Sequence, residues 1–118
     1  MINALTTMNN ELKEFDIPYT FDDWDKEAEL PQFIGEITET ATVDEDGKSE
    51  YTFILTGFAT KTNYDYLLEV AEKLRKKYKT SYIVNGVVIK YDNLILIDND
   101  TDDLKQVQIN LKIKEWSI

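Results

Sequence analysis

The chain has 118 residues, with 13 Lys and Arg against 23 Asp and Glu for a formal net charge of -10. That length fits a single domain able to bury roughly two-thirds of its unfolded surface. It contains no cysteine and no histidine, which excludes disulfides, thiol nucleophiles, zinc-finger spacings and imidazole bases together. The acidity is an N-terminal property: residues 1–60 carry 3 basic and 14 acidic groups, residues 61–118 carry 10 and 9. Such a surface repels phosphate backbones and anionic lipid, so sequence-specific nucleic-acid binding and membrane docking are disfavoured.

The opening MINALTTMNN lacks the basic start and long apolar stretch of a signal peptide, and no apolar run approaches the roughly 20 residues of a membrane span. A soluble product of intracellular origin is expected, which the absence of cysteine fits. Ile2, Leu5, Met8, Leu12 and Phe15 recur at steps of three and four and predict one buried stripe of a helix. That helix should end before Pro18, because the residue preceding a proline is pushed out of the helical region.

IPYTF, residues 17–21, reads as a short strand. In DDWDKEAELP, residues 22–31, five acidic groups surround one Trp and one Lys. The stretch reads as a solvated loop or an edge excursion, with Trp24 as an aromatic able to anchor a partner subunit.

From Phe33 to Thr60 the period changes to two. Phe33, Gly35, Ile37, Ala41 and Val43 share one face, and Tyr51, Phe53, Leu55, Gly57 and Ala59 share one face of the following run. Between them lies DEDGK, whose Asp46-Gly47 suits the positive backbone dihedral of a hairpin turn. The opposite faces carry threonines at positions 38, 40, 42, 52, 56 and 60, interrupted by Ile54 and Phe58, which points to a second layer or a neighbouring subunit there.

A second helix is predicted from a cap at Thr62 or Asn63, with Tyr64, Leu67, Ala71, Leu74 and Tyr78 inward. Glu69 to Lys73 and Glu72 to Lys76 are spaced as i,i+4 ion pairs, and the basic end suits the helix dipole. The cluster Lys73, Arg75, Lys76, Lys77 and Lys79 reads as a charge-balanced helix end in preference to a phosphate site.

SYIV, Asn85-Gly86 and VVIKY make a tight hairpin. Asn93 breaks the pattern, LILI extends from there to the Asp-rich segment, and VQINLKIKEW alternates as a half-exposed antiparallel strand.

IDNDTDD, residues 97–103, has the alternating aspartates of a calcium loop. Counted from Asp98, however, the glycine of position 6 falls on Asp103 and the bidentate Glu of position 12 on Ile109. The run is read as a polar connection between strands, with a looser oxygen-rich calcium or magnesium site as the alternative. Four separated glycines build no phosphate loop, and three serines have no base to activate them. The chain is therefore read as non-enzymatic, with no cofactor and no metal.

The expected fold is α+β: a mostly antiparallel sheet with a long hairpin, and two amphipathic helices packed on one face, all in a single domain spanning residues 1–118. The order of elements resembles the tail terminator and head-tail joining proteins of long-tailed bacteriophages. The stretches that carry the resemblance are MINALTTMNNELKEF, IPYTF, LPQFIGEI, YDYLLEVAEKLRKKY after LTGFAT, NGVVIKYD and VQINLKIKEW.

The resemblance implies a ring, commonly of six subunits, that ends tail-tube growth. It would contact tail-tube and head-connector proteins, and would be found in the host cytoplasm during assembly and in the virion afterwards. Asp22, Asp23, Trp24 and Asp25 are the candidate acidic half of a subunit interface, with Lys73, Lys76 and Lys77 as the basic half and Phe58 as an apolar contact. A second reading is an acidic decoy that mimics DNA and binds a basic host factor.

If the aspartate run is only a connection, the melting temperature stays unchanged in millimolar calcium, magnesium or manganese; a rise in any of them would reveal a site.

Overall fold

Residues Lys48–Thr60 form a strand in which every second side chain is buried. In the computed structural model that strand and its partner Leu104–Trp116 are the centre of the molecule, paired antiparallel along all thirteen residues. The structure describes residues 1–21, 30–41, 47–97 and 104–116. Val43, expected on the strand face of Phe33, and Asp46 of the expected turn lie outside them.

The elements in chain order are α1 (Ile2–Glu14), β1 (Tyr19–Phe21), β2 (Gln32–Ala41), β3 (Lys48–Thr60), a 3-10 turn (Lys61–Asn63), α2 (Tyr64–Tyr78), β4 (Tyr82–Val84), β5 (Val87–Ile97) and β6 (Leu104–Trp116). One mixed sheet has the order β1-β2-β3-β6-β5-β4. β1 runs parallel to β2, and the other four neighbouring pairs are antiparallel. The fold is α+β. Strands of thirteen residues rising about 3.3 Å each account for an elongated molecule of 49 × 26 × 24 Å.

The sheet's inward side chains include Phe33, Tyr51, Phe53, Leu55, Ile89, Val107, Ile109, Leu111 and Ile113. They share one buried cluster with Ala4, Met8 and Leu12 of α1 and with Leu67, Val70, Ala71, Leu74 and Tyr78 of α2. The alternate residues of the same strands, among them Thr52, Ile54, Thr56, Phe58 and Gln108, are half-buried, and Lys112 and Lys114 are exposed.

The stripe of α1 differs from the sequence expectation. Its buried residues are Ala4, Thr7, Met8, Glu11 and Leu12, whereas Ile2 is 85% exposed and Leu5 and Phe15 are half-buried. At 3.6 residues per turn, Ile2 and Glu11 lie roughly 180° apart around the axis. Burying Glu11 against α2 therefore turns Ile2 to solvent. The helix ends as expected: Phe15 and Asp16 donate backbone N–H groups to Leu12 and Lys13, and Asp16 takes a left-handed φ of 56°. Asp is among the few residues that tolerate that region.

α2 starts after Asn63, although no side chain caps it. Val70 joins the inward face, and Tyr64 is only half-buried. In place of the expected i,i+4 pairs, Glu72 and Arg75 pair within this helix at i,i+3 spacing, 3.5 Å apart. At more than half exposure on both sides it contributes little.

Two sequence signals map onto backbone features. Asn85 and Gly86 have φ of 52° and 74°, the two consecutive positive values of the tight hairpin turn that Asn-Gly favours. The break at Asn93 is a bulge. The register slips between Tyr91, opposite Leu111, and Asn93, opposite Asn110, so that Asp92 is the extra residue. The slip changes the phase, and Leu94 and Leu96, opposite Ile109 and Val107, join the side that holds Val87 and Ile89. A single unbroken β5 replaces the two runs expected from sequence.

Gly35 and Gly57 mark close approaches on the inward side. A Cβ at Gly35 would lie 2.5 Å from Tyr19 Cε2 and 2.7 Å from Phe53 Cζ; one at Gly57 would lie 2.5 Å from Phe33 Cε1 and 3.0 Å from Leu67 Cδ2. Ring atoms wedged in a core cannot swing away. Gly35→Ala and Gly57→Ala should each destabilise by about 1–3 kcal/mol, the usual range for overpacking. Gly86→Ala, with open space around it, should cost only its backbone strain. Urea unfolding of the three variants checks the order.

Candidate interaction surfaces

The most concentrated polar chemistry in the described residues joins the two helices. Glu11 is only 5% exposed, and its Oε1 accepts a 2.5 Å hydrogen bond from the hydroxyl of Tyr78. The same oxygen lies 2.8 Å from Lys77 Nζ, which stands 3.5 Å from Glu14 Oε2. A buried carboxylate is tolerable only with such partners. The ammonium also sits 5.1 Å from the ring centroid of Phe15, 5.5 Å from that of Tyr78 and 4.7 Å from that of Tyr82, distances at which the ring faces attract a cation. Tyr78 meets Tyr82 edge-on at 5.6 Å and Phe15 at 6.3 Å.

Burial, reinforced by the hydrogen bond and charge of Glu11, pushes the Tyr78 phenol far above its ordinary value. Burial alone would lower the Lys77 ammonium, but the hydrogen bond and charge of Glu11, with Tyr82 and Glu14 behind them, outweigh it, and its pKa ends above that of a free lysine. Tyr19, whose hydroxyl donates to Asn9 Oδ1 at 2.8 Å, is also raised by burial. The cluster ties α1 to the end of α2, and among the described residues no three Asp or Glu stand close enough to hold a metal.

The sheet side away from the core cluster is a second surface. Asn93, Asn110 and Gln108 form a side-chain ladder across β5 and β6: Asn110 Nδ2 donates to Asn93 Oδ1 at 2.8 Å, and Gln108 Nε2 donates to Asn110 Oδ1 at 3.2 Å. Beside it a shallow depression of about 320 Å³ is lined by Ile34, Glu36, Ile54, Thr56, Phe58 and Gln106. Toward the other end, Lys90 stands directly opposite Lys112, a like-charge pairing that is unfavourable by itself. Lys114 lies opposite Glu50, with Nζ 3.9 Å from its Oε1. One end of this face is apolar and amide-rich and the other is basic.

The candidate interface residues fall in three places. Asp22, Asp23, Trp24 and Asp25 lie outside the described residues, as does the run from Asp98 to Asp103. Lys73 and Lys76 are exposed on α2 and border a concavity of about 330 Å³ with Glu72, Arg75 and Lys79. Lys77 is on the same helix but turned inward, its side chain 25% exposed and held by Glu11 and Glu14. Phe58 is half-buried on the second sheet surface, opposite Gln32 and Gln106.

The Glu11 cluster has one sequence signal: an acid at the i+3 position from Met8 and next to Leu12, on the face that the helix buries. The amide ladder has none, because its geometry depends on the bulge at Asp92.

No protein-family model matches the chain, and no curated protein sequence matches it.

Tyr78→Phe leaves the buried Glu11 with one partner fewer and should cost about 1–3 kcal/mol at neutral pH. The pH dependence is alkaline. Groups whose folded pKa is raised give stability that is complete below the unfolded value and lost as pH rises through the folded one. Tyr78, Tyr19 and Lys77 therefore destabilise the fold from about pH 10 upward, where the unfolded groups deprotonate first. In Tyr78→Phe the loss between neutral and alkaline pH should be smaller than in the wild type, as read by chemical denaturation at both.

Proposed function

We propose that this chain is a structural subunit of a bacteriophage virion, a tail terminator or head-tail joining component that assembles as a six-membered ring on the tail tube. The finer architecture belongs to this reading: β2 and β3 as arms of one long hairpin, and both helices backing one side of the sheet. The observation that carries it is the uneven finish of the sheet, one side sealed by the core cluster and the other presenting Ile54 half-buried and Ile95 41% exposed. Apolar groups on an open sheet serve contacts between subunits.

The chemistry of the chain fits assembly better than catalysis. A ring requires two different patches of one subunit to meet, and the exposed basic residues Lys73 and Lys76 and the acidic N-terminal half provide unlike surfaces. Repulsion between acidic copies is a small obstacle: two unit charges 10 Å apart in water repel by roughly 0.4 kcal/mol, and physiological salt screens them beyond about 8 Å. Contacts would run to copies of the chain and to tail-tube and head-connector proteins, in the host cytoplasm and then in the virion.

The net charge favours a second reading, an acidic DNA mimic that binds a basic host factor. Lys90, Lys112 and Lys114 on one sheet face weigh against it, because a decoy requires an evenly negative surface.

Light scattering behind a sizing column, with negative-stain microscopy of concentrated protein, separates the two. The ring reading expects closed annuli. A monomer or dimer at every concentration, together with tight and salt-sensitive binding to a basic DNA-binding domain, would replace it with the decoy.

A further inference from the structure

β5 is an edge strand for most of its length. β4 pairs with Val87, Val88 and Ile89, so from Lys90 to Ile97 no strand of the described residues lies on the side of β5 away from β6. No other backbone group of the described residues bonds to it. A row of unpaired N–H and C=O groups is a template for another strand, and proteins usually blunt it with Lys, Pro or a very short strand. Here Asn93–Ile97 reads NLILI, with neither charge nor proline. Ile95 and Leu96 point to opposite sides of the sheet and are 41% and 57% exposed, and Ile83 on the adjoining β4 is 73% exposed. Both sides of this edge are therefore apolar and wet.

We propose that the β5 edge from Asn93 to Ile97 is a strand-addition site for a second copy of this chain, which presents the opposite edge of its own sheet, β1–β2. The far edge is also capped in part: β1 pairs with Phe33, Ile34 and Gly35 of β2, and among the described residues no strand lies on that side of Glu36–Ala41. The strand directions match. β2 and β6 both run against β3, and β5 runs against β6; β5 therefore points with β3, while β2 and its parallel neighbour β1 point the other way. A copy related by rotation about an axis along the strands brings these edges together antiparallel, the more stable pairing. Backbone hydrogen bonds supply the affinity of such an addition, and the side chains on either face supply its selectivity. Two unlike edges meeting make a heterologous contact, the kind that closes rings. The proposal deepens the ring reading by naming its interface.

The test combines hydrogen exchange with two surface variants. Wild-type protein is compared dilute and concentrated, reading peptides that cover Asn93–Ile97. Ile95→Lys with Leu96→Lys places charge on both sides of the edge at exposed positions. Circular dichroism and the melting temperature confirm that it folds, and Lys112→Gln on the sheet face serves as a control. Assembly should slow exchange at Asn93–Ile97 by about tenfold or more, and the double variant should need at least about tenfold more protein to assemble, while Lys112→Gln behaves as wild type. Wild-type annuli with unprotected Asn93–Ile97, or a double variant that assembles at the wild-type concentration, would overturn the proposal and leave the ring reading standing. Protection of this edge in two-copy particles that never close would keep the proposal and remove the ring. A wild type that stays monomeric at all concentrations overturns both.

Discussion

The thirteen-residue antiparallel pairing of β3 with β6 is the constraint on which the rest of the molecule depends. β3 alternates strictly in burial and β6 keeps Val107, Ile109, Leu111 and Ile113 inward, so a one-residue slip would move every inward side chain to the solvent side. With the register fixed, Phe53 and Leu55 stand opposite Leu111 and Ile109. That apolar strip shares one buried cluster with residues of both helices. The central pair also sets the length of the molecule, and helices of thirteen and fifteen residues, at about 1.5 Å per residue, are shorter than the central strands. Leu96, level with Val107, remains exposed even though its side chain is in phase with the core.

The second organising contact is electrostatic. Joining α1 to the end of α2 through Glu11, Lys77 and Tyr78 exchanges some apolar burial for direction: one carboxylate oxygen receives a phenol and an ammonium, and the ammonium is enclosed by three aromatic rings. Removing one member strands the others in a poorly solvated place. The cluster consumes Lys77, which divides the basic helix end in two. Lys73, Arg75, Lys76 and Lys79 face water, while Lys77 works within the chain.

The sheet's edges and its outer side express the same asymmetry on the surface. Two three-residue strands, β1 and β4, cap long neighbours incompletely, and the bulge at Asp92 delivers Leu94 and Leu96 to one side and Ile95 and Ile97 to the other. An edge finished this way is a hazard for a solitary protein and a resource for one that assembles. The net charge of -10 opposes indiscriminate association, so a contact here has to be specific in register and direction.

The sequence by itself determined the elements: the alternation of residues 48–60 and 107–113, the Asn85-Gly86 turn, the stop before Pro18, and the α+β class. These signals are local, since period, turn dihedral and proline sterics act over a few residues. Only the tertiary structure decided which face α1 buries, because Glu11 is drawn inward by residues 66 and 67 positions away and Ile2 is turned out as a result. It likewise decided that β1 runs parallel to β2, that Asp92 is a bulge within one continuous strand, and that β4 pairs with β5 only over Val87–Ile89 among the described residues. Strand order and pairing are set by contacts between distant segments, and no window of neighbouring residues contains them.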